Sequence, residues 1–285
     1  MSIIATSSAS NVDLDHIDWT ISKSRTSPVD FLSNNPPSAY SAARFYQGRF
    51  QFKCLHISRV IESLKLLSME PLDTCMHNLE LLLDYTVQKA IEQLQGDDFA
   101  ITFLTTKNGD DWLYAVLCQS FIQPDMKPCN VVAYGHPRIN PNAKYSQWIK
   151  DRSYIEQIRP PDTTEMILFH ENQFYEGLVT NFFAIIIDAD NVPCVITAPF
   201  DKVLVGIMAS VVVKVCEIHN IRFRFQHPAN PISWNGCFLT NVYRSVQPIK
   251  KLSIYQQSHL VFDFQESKTL SDLKIWVSQY IQNHS

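Results

Sequence analysis

No apolar run in this 285-residue chain approaches the roughly 20 residues needed to span a bilayer, so no membrane partner is expected. No basic stripe stands out either. Lysine and arginine number 24 against 28 acidic residues, a net charge of −4, which gives no support for nucleic-acid binding. The seven cysteines, Cys54, Cys75, Cys118, Cys129, Cys194, Cys216 and Cys237, are odd in number and form no CxxC pair. That argues against a zinc site or a disulfide framework. It favours a reducing compartment, with the thiols as small buried hydrophobes. His170-Glu171 is not followed by a second histidine at helical spacing, so no metal is expected. The N-terminus, rich in Ser and Thr from Thr6 to Ser10, lacks the basic start and apolar stretch of a secretory signal. Asp13, Asp15 and Asp18 are equally unlike a transit peptide, which leaves the cytoplasm as the expected location.

Hydrophobic residues make up 46% and charged residues 18%, the balance of a globular chain long enough for one large domain or two ordinary ones. Residues 1–35 have weak periodicity and read as a loose start. Tyr40–Phe52 reads as a strand pair turning at Gln47-Gly48, and Ile57–Ser68 carries apolar residues at helical spacing. Leu72–Leu94 gives one or two more helices, and Phe99–Thr105, Trp112–Phe121 and Asn130–Tyr134 read as strands. These make a first α+β domain over 1–134. The Pro-, Gly- and Asn-rich 135–142 reads as a linker, and 143–285 as a second, larger domain. There, Glu165–His170, Asn181–Asp188, Val192–Ala198 and Cys237–Thr240 read as strands. Ile207–His219 and Leu270–Ile281 read as helices. The class is α/β (α+β), without internal repeats.

The chemistry-bearing feature is Glu176-Gly177-Leu178-Val179-Thr180-Asn181-Phe182-Phe183, placed between two expected strands. Alone it is a turn. Four further blocks give it meaning: Ser41-Ala42-Ala43-Arg44-Phe45-Tyr46-Gln47-Gly48; Leu55-His56-Ile57-Ser58-Arg59-Val60; the lysine region around Lys144; and Val203-Leu204-Val205-Gly206-Ile207-Met208 before a helix. A last stretch runs from Phe238 to Ile249.

In order and spacing these blocks resemble the class-IV, or fold-type IV, pyridoxal-5′-phosphate (PLP) enzymes. That group includes branched-chain and D-amino-acid aminotransferases and 4-amino-4-deoxychorismate lyases. The resemblance covers about Tyr40 to Ile249. It implies two α/β domains with PLP in the cleft between them, small amino-acid and oxo-acid substrates, and a homodimer. It implies that Arg59 binds the cofactor phosphate, a task suited to a guanidinium's paired donors. Lys144 becomes the Schiff-base residue. It lies 32 residues before Glu176, a spacing similar to the family's, whereas the competing Lys150 lies 26 before it on a charged helix face. The released amine can then shuttle the substrate Cα proton. By the same resemblance Glu176 faces the pyridine nitrogen, with Thr180 and Asn181 supporting that side of the ring. Leu204 packs on the ring face. Gly206, Ile207 and Met208 offer backbone amides at a helix start, and Asn241 and Val242 close the phosphate cup. Tyr40 falls where the family places an aromatic near substrate. Arg138 and Arg244 are candidates for a substrate carboxylate. His56 reads as structural or capping.

Departures from the family pattern separate the readings. Met208 stands where aminotransferases often have Thr, Asn241-Val242 where they carry hydroxyl residues, Ala209 where an Arg commonly follows, and Asn34-Asn35-Pro36-Pro37 where a G-D-G turn is usual. Branched-chain members place a tyrosine where Ile149 stands. Met208, Asn241 and the Ala43-Arg44 pair resemble the deoxychorismate lyases, which eliminate pyruvate. Three readings follow: an aminotransferase, a lyase of that kind, and a non-catalytic member that kept the fold.

Overall fold

Contact density divides the chain into two units: Met1–Gln123 with Ala143–Asp151, and Pro124–Asn142 with Arg152–His284. The computed structural model describes all residues except 9–12, 14, 16, 23–25, 72 and 285, and only the backbone of 108 and 257–259. Among the described residues no helix is long and apolar enough to cross a membrane.

The first unit is an antiparallel sheet backed by helices. Its strands are β1 (Ser2–Ser8), β2 (Asp18–Ser22), β3 (Ala39–Tyr46), β4 (Arg49–Phe50), β5 (Asp98–Asn108) and β6 (Asp111–Ser120), in the order β2-β1-β6-β5-β3-β4. The helices are α1 (Pro28–Ser33), α2 (Lys53–Leu66), α3 (Cys75–Leu94) and α4 (Trp148–Asp151). Strand periodicity sorts the faces. Ala39, Ala43 and Phe45 of β3 join Ile57, Val60 and Leu64 of α2 and Leu79, Leu82 and Leu83 of α3 in one buried cluster. Tyr40, one residue out of that register, packs on the other side with Phe31, Leu32, Leu104, Leu117 and Ile149. The β3–β4 turn has φ of +51° at Gln47 and +77° at Gly48, the paired left-handed geometry of a tight hairpin.

The stretch read as a loose start is ordered where it is described. Ile3 and Ala5 are buried in β1, and Ser27 caps α1, its hydroxyl accepting from the Asp30 amide at 3.0 Å with Pro28 in the first turn. Residues 9–12, 14, 16 and 23–25 of that stretch lie outside the described residues. So does Leu72, expected to open a helix that is seen from Cys75.

The second unit carries β7 (Cys129–Ala133), α5 (Ser153–Gln157), β8 (Glu165–His170), β9 (Gln173–Gly177), β10 (Asn181–Ile187), β11 (Pro193–Thr197), α6 (Ile207–Ile218), β12 (Arg222–Phe225), β13 (Trp234–Thr240), β14 (Gln247–Ile254), β15 (Gln257–Asp263) and α7 (Lys268–His284). The sheet runs β12-β11-β10-β13-β14-β7-β8-β9, with β15 beside β14. Because β9 also pairs with β10, six strands close into a ring, and the pair that joins them is Glu176 with Asn181. Phe174, Phe182, Trp234, Leu239 and Leu252 fill it.

The chain does not pass from one unit to the other at the expected linker. Strand β7, read as the last strand of the first domain, lies between β14 and β8, parallel to both, so its ladder bonds belong to the second unit. The segment 143–151 goes the other way. Ala39 bridges to Tyr145, Tyr40 N donates to Lys144 O at 3.0 Å and Ser146 N to Ser38 O at 2.9 Å. Strands β9, β12, β14 and β15 were also not expected. They are short, half-exposed or interrupted by charge, as in Gln247-Pro248-Ile249-Lys250-Lys251, so alternation is faint.

Candidate active site

In the first unit, three expected site residues come together with three unexpected partners. His56, Arg59 and Ser63 stand three and four residues apart on α2 and so share one helix face. Ser41 stands in β3 in register with the buried Ala39, Ala43 and Phe45, and is itself buried. Its hydroxyl oxygen accepts from Arg59 Nη2 at 2.6 Å and lies 2.7 Å from His56 Nδ1. Ser63 Oγ donates to Arg59 O at 2.7 Å and accepts from Lys144 N at 3.0 Å. Lys144 Nζ rests 4.7 Å from the Tyr40 ring centroid, a cation over an aromatic face. Lys150, by contrast, is exposed on α4.

No carboxylate among the described residues pairs with Arg59. Its Nε is shut off from solvent and has no acceptor. Burial lowers its pKa to about 10, partly offset by Tyr40. A shielded guanidinium without a counter-charge is costly, and an anion relieves that cost. His56 is fully buried and held well below its ordinary pKa of 6.5, first by burial, then by the charges of Arg59 and Lys144. It does not cap α2, since Phe52 occupies the N-cap of that helix.

In the second unit, Glu176 is the penultimate residue of β9 and is 4% exposed. Its Oε1 accepts from Leu204 N at 3.1 Å and lies 3.8 Å from Arg138 Nη1. Across the strand pair, Asn181 Nδ2 donates to Leu204 O at 2.7 Å. Both polar groups of the Leu204 backbone are therefore clamped by the two residues that close the ring. Two residues on, Gly206 is the N-cap of α6 and no side chain caps that helix. A Cβ on Gly206 would collide with Asn181 Oδ1, so only glycine lets the loop approach. Ile207 and Met208 are buried in the first turn of α6.

The other expected residues of this unit are placed differently. Asn241 spends its amide on its own loop: Oδ1 accepts from Tyr243 N and Arg244 N, both at 3.0 Å, and Nδ2 donates to Val179 O at 3.3 Å. Val242 follows it in that loop, half-buried. Arg244 donates to Gln247 Oε1 at 2.6 Å, and Gln247 in turn bonds Asp125 O and Lys127 O. Arg244 thus braces the loop, while Arg138 stands beside Glu176.

Sequence reasoning missed Ser41, Ser63, Glu165 and Arg152. Glu165 is buried and accepts from Val179 N at 3.1 Å, Thr180 Oγ1 at 3.0 Å and its neighbour Met166 N at 3.0 Å. Burial raises its pKa, while those hydrogen bonds and Arg152 oppose the rise. Arg152 Nη1 donates to Leu178 O at 3.1 Å, so the turn carrying Glu176 is held from two sides. A signal existed for two of these. Glu165 opens an otherwise apolar strand, and Ser41 stands alone among apolar residues on the buried face of β3.

The fold and the two residue sets define a class-IV aminotransferase-type chain. The pattern of the family Amino-transferase class IV matches residues 38–252, and the chain belongs to that family. No curated protein sequence matches it. Solved structures share the fold at low identity. The PLP-bound form of a hypothetical aminotransferase from Mycobacterium tuberculosis is 12% identical, with 99% of this chain and 100% of that one covered and a TM-score of 0.73. A branched-chain aminotransferase from Thermoproteus uzoniensis, solved with norvaline, is 14% identical over 99% and 96%, TM-score 0.71. A Legionella pneumophila protein named for 4-amino-4-deoxychorismate lyase activity is 15% identical over 85% and 90%, TM-score 0.66.

Proposed function

We propose that this protein is a PLP-dependent aminotransferase that moves an amino group from an amino acid to a 2-oxo acid. The observation that carries the reading is the Arg59 guanidinium, shielded and without a carboxylate partner, in the same cluster as Lys144. Such a cation fits a phosphate, and Glu176 fits a pyridine nitrogen that must keep its proton. When bound, PLP supplies an electron sink for charge developing at the substrate Cα. The chain's own residues do the rest. Arg59 would bind the phosphate, and the first amides of α6, with Gly206 at their head, are a second set of donors suited to an anion. Lys144 would hold the cofactor, and its amine would move the substrate Cα proton. Glu176, fixed by Leu204 N, would keep a proton on the ring nitrogen. Arg138 and Tyr40 meet the substrate, and a homodimer in the cytoplasm is the setting inferred from the family and the cysteine pattern.

Purified protein should take up PLP with a visible Schiff-base band, and an added amino acid should convert that band to pyridoxamine phosphate with release of a 2-oxo acid. A protein that takes up no PLP sinks the reading. Met208 and Asn241 favour a second reading, elimination of pyruvate from 4-amino-4-deoxychorismate. Pyruvate formed without any 2-oxo acid acceptor would establish it over transamination.

A further inference from the structure

The Ser41–His56 pair has no part in that assignment, yet it is the only hydrogen-bonded side-chain contact of Arg59 among the described residues. We propose that Ser41 and His56 are positioning residues which orient the Arg59 guanidinium toward an anion without neutralising it. This rests on reading Arg59 as the phosphate-binding residue.

The short contacts of Ser41 favour one arrangement of protons. A guanidinium can only donate, so Ser41 Oγ must accept from Arg59 Nη2 at 2.6 Å. The hydroxyl's single proton then goes to the other close partner, His56 Nδ1 at 2.7 Å. In that arrangement Nδ1 is the unprotonated nitrogen and the imidazole proton sits on Nε2, which is buried without a hydrogen-bond partner among the described residues. The 3.4 Å separation of Arg59 Nη2 from His56 Nδ1 agrees, since it sets a donor against a lone pair. Protonating Nδ1 would turn that approach into two donors face to face, beside the positive Lys144. Burial and those two cations keep the imidazole neutral.

Chemically the relay differs from the usual partner of a buried arginine. An aspartate or glutamate would fix the guanidinium more firmly but cancel its charge. A serine backed by a neutral histidine fixes one edge through Nη2 and leaves the full positive charge in place. Arg59 Nε has no partner to compete with that orientation. Ser63 adds to the register by tying the Arg59 carbonyl and the Lys144 amide to one hydroxyl.

The test titrates the full-length apoprotein and its His56→Ala, His56→Asn and Ser41→Ala variants with PLP and with pyridoxal, which lacks the phosphate. Inorganic phosphate serves as competitor. His56→Ala and Ser41→Ala should weaken PLP binding on the order of tenfold while leaving pyridoxal binding unchanged. His56→Asn should restore it, because its Oδ1 can accept the Ser41 proton where Nδ1 does. If PLP and pyridoxal affinities fall together, or neither falls, the positioning role is overturned. If His56→Ala does not fold, Ser41→Ala and His56→Asn still decide. A parent that binds PLP but whose variants keep the same PLP-to-pyridoxal ratio sinks this inference alone. A parent that binds neither PLP nor phosphate sinks the functional reading with it.

Discussion

The two units handle buried charge in opposite ways. In the first, the shielded cation Arg59 is oriented by neutral groups, a hydroxyl and an imidazole, and keeps its charge. In the second, the carboxylates Glu176 and Glu165 are fastened to backbone amides, with arginines nearby. The amide bonds let a buried carboxylate stay in place at low cost. The contrast is between a positive, loosely compensated group on α2 of the first unit and a negative group on β9 of the second, braced by backbone amides.

The comparison can be broken or sharpened by substitution. Lys144→Ala should abolish covalent capture of PLP, seen by mass spectrometry as loss of the borohydride-reduced adduct. Lys150→Ala should keep it, and an adduct that persists in the first variant would move the lysine elsewhere. Glu176→Gln keeps an acceptor for Leu204 N but removes the charge. Turnover should fall by on the order of 10²-fold with a small change in melting temperature. A large stability loss with unchanged turnover would make the negative group purely structural. Gly206→Ala should destabilise by about 1–3 kcal/mol in thermal denaturation, because its Cβ meets Asn181 Oδ1.

The smallest effect concerns pH. The pKa of His56 is lower in the folded chain than its ordinary 6.5, so below that pH the unfolded chain binds a proton that the folded one does not. Stability from this group is therefore present above pH 6.5 and is lost as pH falls through the folded value. Melting curves against pH should show that slope in the parent and a flatter one in His56→Asn. Parallel curves would mean that His56 is not buried neutral beside Arg59 and Lys144.

The sequence made the order of elements and several site residues legible because helical and strand periodicities survive where one face is buried. Ile57 to Leu64 and the Gly206–Ile207 helix start are cases. Glu176 and Lys144 could be paired only through spacing and resemblance, since neither has a local motif. The pairings that depend on long-range ladders were not legible. Nothing local says that Cys129–Ala133 lies between β14 and β8, or that Tyr145 bridges to Ala39. Polar groups serving other polar groups were missed for a related reason. Ser41, Ser63 and Glu165 matter through partners 15, 81 and 14 residues away, invisible to any window along the chain. Asn241 shows the converse: family position suggested a ligand contact, and the amide is occupied in shaping its own loop.

The return of residues 143–151 to the first unit has a consequence for how the protein is made. Ser38 and Ser146 exchange bonds across a separation of 108 residues, so the N-terminal sheet cannot complete that edge on the ribosome until β7 has already emerged. Closing so long a loop is slow relative to local pairing. Nascent chains halted before residue 143 should expose the edge of β3 at Ser38 and Ala39, a state prone to capture by chaperones. For the same reason neither unit can be cut out as a continuous fragment: the first lies in 1–123 and 143–151, the second in 124–142 and 152–284.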